Sequence, residues 1–339
     1  MKKSLLALAV LGAFAGVASA QSSVTLYGTV DLNARYVKND NANRAYSLSQ
    51  DGINSSQLGF KGTEDLGGGL KAGFVLLSGV NADTGTTNAK FFNRRATVSL
   101  MGNFGEVRLG RDYTPSFWNN TIFDAFGTNG LGDSSHVAQK LTGTFVRADN
   151  SIGYFLPSGI GGVYGQVMVA AAENGATNPG RYVGGRVGFA AGPFDVAGAY
   201  AQQKFVSGAV DQKTYNIGAS YDLSVVKLLG YYDRDTQGND KENRFSLSAV
   251  VPIGQSEIHA GYEASKRDNA GVTTKIDQFA LGYVYNLSKR TALYTTVSRL
   301  SNKNGTRNTV GGGNAFGSDG SVVTNPKSTG AEFGLRHFF

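Results

Sequence analysis

The sequence predicts an all-β protein, a 16-stranded antiparallel transmembrane β-barrel, and three observations predict it. Apolar and polar residues alternate with a period of two from residue 24 to the last residue, the spacing of side chains on opposite faces of a sheet. Tight turns and long polar stretches alternate along the chain, as in an up-and-down meander. After the first 20 residues no 18-residue apolar stretch occurs, so any membrane crossing is made by strands closed into a barrel.

The first element is not a strand. Lys2 and Lys3 precede an apolar run from Leu5 to Val17, and Ala18, Ser19 and Ala20 follow as a small-x-small cleavage site, so residues 1–20 read as a secretory signal and 21–339 as the mature barrel. Strand one then sets Val24, Leu26, Val30, Leu32, Ala34 and Tyr36 against Thr25, Thr29, Asp31, Asn33 and Arg35. Similar segments recur about every 20 residues. Ala96, Val98 and Leu100 oppose Arg95, Thr97 and Ser99; Tyr215, Ile217, Ala219 and Tyr221 oppose Thr214, Asn216 and Ser220; Ile258, Ala260, Tyr262 and Ala264 oppose Glu257, His259 and Glu263. Turn chemistry marks one end of the strands, as at 65–69, 103–105, 191–193 and 252–254, and longer polar stretches such as 38–54, 113–148 and 301–328 mark the other.

A soluble sandwich also alternates, and three details argue against it. Aromatic residues sit at strand ends on the apolar face (Tyr36, Tyr221, Tyr285, Phe339), where a barrel meets the two membrane interfaces. Charges populate the polar face of strand after strand. The chain also ends inside a strand, with Phe333, Leu335, His337 and Phe339 on one face, and such a terminal strand must pair, most simply with strand one.

Composition excludes several functions. With no cysteine there is no disulfide framework, cysteine-ligated zinc or thiol nucleophile, and no other metal-ligand spacing or cofactor motif stands out. His136, His259 and His337 are the only histidines, and no G-x-S-x-G elbow occurs, so an enzyme is not expected. Losing Lys2 and Lys3 leaves 30 basic residues against 25 acidic, a mature charge of +5, dispersed rather than gathered into a nucleic-acid patch. The mean hydropathy of -0.19 resembles that of a soluble protein only because two unlike faces cancel in it.

The terminal LRHFF of residues 335–339 resembles the assembly signal of outer-membrane barrels. The segments SVTLYG (23–28), GFKGTEDLGGGL (59–70), NFGEVRLGR (103–111) and NLSKRT (286–291) resemble successive motifs of the general trimeric porins of Gram-negative bacteria, in the β-proteobacterial and neisserial branch, over essentially the whole mature chain. The resemblance implies an outer-membrane channel for passive diffusion of small hydrophilic solutes and ions, with the third long loop, 113–148, folded inward as a constriction. It implies a homotrimer, set among outer-membrane lipids and lipopolysaccharide and inserted by the barrel-assembly machinery. In such porins basic wall residues face acids on the loop. Carried over, the basic side is Arg147 and Arg95, with Arg94 as the alternative register, and Lys61 and Arg108 share lumen parity; the acids are Asp124, Asp133 and Asp112. Gln57 stands where some relatives have another arginine. The basic row suggests a weak anion preference. A substrate-specific channel for sugars or organic acids, or an adhesin using the outer loops, is the alternative.

Overall fold

The structure, a computed structural model, describes residues 23–40, 42, 44–139, 146–172, 181–204, 210–315 and 320–339. The expected signal at 1–20 lies outside the described residues. Sixteen antiparallel wall strands follow one another. They are β1 (Ser23–Asn39), β2 in two halves (Arg44–Gln50 and Gln57–Gly67), β3 (Leu70–Asn81), β4 (Arg95–Gly102), β5 (Gly105–Tyr113), β6 (Arg147–Phe155), β7 (Val163–Ala170) and β8 (Tyr182–Ala191). The second half comprises β9 (Phe194–Gln203), β10 (Gln212–Asp222), β11 (Lys227–Gln237), β12 (Asp240–Ile253), β13 (Ser256–Asn269), β14 (Val272–Asn286), β15 (Thr291–Lys303) and β16 (Lys327–Phe338). A two-residue ladder at Thr86–Thr87 pairs only with β3.

Each strand pairs with its neighbour in sequence, and β16 pairs back onto β1, from Thr29 with Phe338 to Asn39 with Ser328. Gly28 and Phe339 exchange both backbone hydrogen bonds at 3.1 Å, so the terminal aromatic completes the ring and leaves no edge there. The alternation of the sequence becomes two faces. Val24, Leu26, Val98, Ile217, Phe279, Phe333 and Leu335 are exposed on the outer one, whereas Asp31, Asn33, Asp233, Glu242, Glu263 and Glu332 are buried on the inner one.

Two irregularities shape the inner face. Both halves of β2 pair with β1, and between them residues 51–56 leave the ladder. The carboxylate of Asp31 holds that break by accepting from the backbone N–H groups of Gly52, Ile53 and Asn54 at 2.8–3.1 Å. The second is a bulge: the β5–β6 register shifts between Gly110 and Asp112, opposite Asn150, which takes a φ of 51°. A bulge re-aims the side chains beyond it, here those of Tyr113 and Arg147.

Candidate functional site: the pore constriction

After β5 the chain turns onto the inner face rather than out into solvent. Thr114 caps helix α1 (Pro115–Ile122), accepting from the Phe117 N–H at 3.4 Å, and Pro115 occupies the first turn, where its missing N–H costs nothing. Asn119 of α1 donates to the Ala197 carbonyl on β9 at 3.0 Å and to Asn216 Oδ1 on β10 at 2.9 Å. Asn120 donates to Asp233 on β11 at 3.1 Å. Beyond the helix the Leu131 N–H donates to Glu332 on β16 at 3.1 Å, and the Gly130 N–H to the Asp51 carbonyl in the β2 break at 2.8 Å. Residues 114–131 thus make contacts from β9 round to β16 and β2.

Apolar residues of this segment seat on wall glycines. A Cβ at position 218 would stand 2.1 Å from Phe123 Cδ2, one at 282 would stand 3.1 Å from Phe126 Cε1, and one at 330 would stand 3.0 Å from Leu131 Cδ1. Phe123, Phe126 and Leu131 are accordingly buried, while Ile122 remains exposed and Phe117 and Trp118 half-exposed. The apolar content of the stretch splits into anchors on the wall and side chains left in the lumen.

The lumen beside the segment forms a cavity of about 760 Å³. On one side of it three arginines gather round a single ring. The guanidinium carbons of Arg147, Arg95 and Arg94 lie 4.4, 5.8 and 6.0 Å from the centroid of Tyr113. Arg147 donates to the Tyr113 hydroxyl at 2.9 Å, and Arg95 donates to Asp112 at 2.7 Å. The electron-rich face of the ring offsets part of the repulsion among these charges. Phe117 stacks on Tyr113 with centroids 5.6 Å apart, and Trp118 tilts against it at 5.2 Å.

The expected basic residues therefore separate. Arg95 and Arg147 meet in the cavity wall, with Arg95 opposite Leu77 in the β3–β4 register, and Arg94, just before the strand, lines the same cavity. Arg108 is engaged lower down, with Glu106 at 2.9 Å and Asp112 at 2.5 Å. Lys61 sits 5.1 Å over the Tyr27 ring, toward the turn end of β2. Gln57 lines the cavity without charge.

The expected acids separate as well. Asp112 belongs to β5 and is the partner of Arg95 and Arg108, so it lies on the basic side itself. Asp124 and Asp133 line the cavity from the inserted segment. Asp124 is buried and accepts from the N–H groups of Phe126 at 2.9 Å and Thr128 at 3.0 Å. Burial, reinforced by the charge of Asp133, pushes its carboxyl up to about 6. Asp133 accepts from the Ser135 N–H at 2.7 Å. At the chain terminus Phe333, Leu335 and Phe339 face outward, and His337 contacts Thr291 Oγ1 at 2.9 Å.

Tyr113 and Arg244 were not among the expected site residues, although Arg244 shares the inward parity of Glu242, Ser246 and Ser248. Tyr113 lines the lumen just past the register shift between β5 and β6. Arg244 on β12, also in the cavity lining, is held by Asp233 at 2.6 Å, Asp235 at 2.8 Å and Glu242 at 3.4 Å. The D-x-D on β11 and E-x-R on β12 were visible, but their pairing depends on register across the hairpin.

A closed sixteen-stranded sheet with an apolar outside and a charged, water-wide inside defines an outer-membrane pore-forming barrel. The chain belongs to the Gram-negative porin family, whose sequence profile matches residues 7–305. Outer membrane porin protein 32 of Delftia acidovorans is 41% identical over the full length of both chains. The major outer membrane protein P.IB of Neisseria gonorrhoeae is 27% identical, over 88% of this chain and 94% of its own. Among solved structures, an anion-selective porin from Comamonas acidovorans superposes with a TM-score of 0.84 at 39% identity, covering 94% of this chain and all of its own. The protein is thus a multi-pass β-barrel of the outer membrane and a passive channel rather than an enzyme.

Proposed function

We propose that residues 114–139 act as the constriction loop of a general diffusion pore, and that Arg94, Arg95 and Arg147 around Tyr113 form the basic side of its narrowest part. The observation that carries this reading is the imbalance at that ring: of the three guanidinium groups only Arg95 is bound to a carboxylate, that of Asp112, which it shares with Arg108, while Arg147 is held by the Tyr113 hydroxyl. A passing anion meets uncompensated positive charge and a cation meets a barrier, the usual way a wide pore discriminates. Asp124 and Asp133 supply the acidic side, with a reduced contribution from Asp124 because of its raised titration. The preference for anions is weak, and the name of the solved relative as an anion-selective porin supports its sign. Lys61 and Arg108 act as wall charges outside the narrow part.

The working unit we propose is a homotrimer in lipid and lipopolysaccharide, inserted by the barrel-assembly machinery through the terminal strand after residues 1–20 are removed. A planar bilayer under a salt gradient tests the constriction. Each unit charge about 4 Å from a passing ion is worth about 1 kcal/mol in water, so Arg147→Ala is expected to lower anion permeability by up to about fivefold and to move the reversal potential toward cations. An unchanged reversal potential removes Arg147 from the constriction. A second reading, a pore tuned to aromatic or sugar-like solutes, draws on the Phe117 ring stacked on Tyr113 and the Trp118 ring tilted against it. Liposome-swelling rates that fall smoothly with solute size support the general pore, and saturation with one solute supports the tuned one.

A further inference from the structure

One residue of the inserted segment, Ala125, is held to the wall through both of its backbone polar groups. Ala125 donates its N–H to Ser248 Oγ of β12 at 3.0 Å, and its carbonyl oxygen lies 2.8 Å from Nδ1 of His259 on β13. The other ring nitrogen, Nε2, lies 3.0 Å from Oε2 of Glu257. A backbone carbonyl can only accept a hydrogen bond, and so can an ionised carboxylate. A neutral imidazole has a single N–H; it serves one contact and turns a lone pair toward the oxygen of the other. An imidazolium serves both, and each bond is then charge-assisted.

We propose that His259 is a positioning residue that works in its doubly protonated form, clamping the loop to the wall at Ala125, and that loss of one proton releases one of the two contacts. The inference rests on reading residues 114–139 as the constriction loop. The surroundings leave few other groups to take this part. Opposite His259 stand Val250 on β12 and Gly282 on β14, neither of which titrates. The Phe126 ring meets the imidazole edge to face at 5.8 Å. The charged groups facing this region are Glu257 and the buried Glu263 on β13, Asp124 on the loop, and Arg336 on β16, whose charge acts on Glu257. Asp124 is the nearest competitor, since its carboxylate accepts from the Phe126 N–H, the other end of the same peptide group whose carbonyl faces His259.

The sign follows from the proton count. The clamp is complete while the ring carries both protons and loses a bond when one leaves, so it weakens as pH rises. Histidine is the side chain that exchanges such a proton near neutrality.

Single-channel recording of the full-length protein in planar bilayers from pH 5 to pH 9 tests the clamp, reading the frequency of brief partial closures. For the native chain the frequency is expected to rise about tenfold across the range, the change set by losing a bond of about 1.4 kcal/mol. Glu257→Gln is the decisive variant. Its amide N–H can donate to the bare Nε2 of a neutral imidazole, so both contacts survive at every pH and the closures stay rare and flat. Asp124→Asn is expected to keep the native step, and His259→Phe to close often at all pH. A native trace that is flat, a Glu257→Gln pore that keeps the native step, or an Asp124→Asn pore that loses it overturns the proposal. If His259→Phe fails to insert, the Glu257→Gln profile decides alone. The reversal potential of Arg147→Ala is read separately, so an unchanged value there refutes the constriction reading, while the pH step still judges the clamp.

Discussion

The two sides of the lumen use the same residue types to opposite ends. On the side of β4 to β6 Arg94, Arg95 and Arg147 crowd one tyrosine, and Arg95 alone of the three is bound to a carboxylate, that of Asp112. On the side of β9 to β14 the inserted segment covers the wall, and Arg244 alone faces three carboxylates at 2.6–3.4 Å, all almost fully buried. Both sets sit at lumen positions, and inward direction alone does not tell them apart. What separates a charge that acts on passing ions from one that holds the wall together is the number of counter-charges within reach and whether water reaches it.

The strongest test of that contrast is Arg244→Ala. It leaves Asp233, Asp235 and Glu242 buried without their counter-charge, and breaking a buried cluster of this kind costs about 3–5 kcal/mol. The barrel is expected to unfold at clearly lower denaturant concentration, whereas Arg147→Ala, which removes a charge lacking a carboxylate partner, leaves the unfolding midpoint nearly in place. Equal losses of stability in the two variants would dissolve the distinction between the sides. A smaller effect is expected from Gly218→Ala, whose new methyl would stand 2.1 Å from the Phe123 ring. Overpacking there costs about 1–3 kcal/mol and should displace the covering segment, so conductance and closure frequency both change while the sheet remains closed; native traces from this variant would mean that Phe123 is not an anchor.

The mildest effect comes from pH. The raised titration of Asp124, about 6, means that its carboxyl takes up a proton between pH 7 and pH 5. The acidic side then loses a negative charge while the arginines keep theirs, so anion preference increases as pH falls through that window. In Asp124→Asn this increment should be absent. A variant whose selectivity follows pH as the native pore does would transfer the increment to another group.

Much of the barrel was legible in the residues. Alternation from Val24 onward assigned the faces, and in β1 and β16 every residue named for one face lies on that face, because a period of two leaves a strand no other way to present its side chains. The apolar character of Phe123, Phe126 and Leu131 marked the long stretch as covered. The arrangement of the lumen charges was legible only in part. Arg95 and Arg147 meet, but Lys61 and Arg108, with the same parity, lie elsewhere along the strand axis, a coordinate that alternation does not encode. Asp112, expected among the loop acids, belongs to β5 and is bound to Arg95 and Arg108. Tyr113, the ring that collects the arginines, lies past a bulge, where counting by twos fails.

By itself the sequence determined the closed antiparallel sheet, its two faces and the aromatic strand that seals it, since these follow from local periodicity and from the need to leave no backbone edge in lipid. Only the tertiary structure decided which lumen charges stand together, which are neutralised, and where the inserted segment rests. Those outcomes depend on register between distant strands, on glycines that leave room for Phe123 and Phe126, and on distances of a few ångströms over which one carboxylate cancels an arginine.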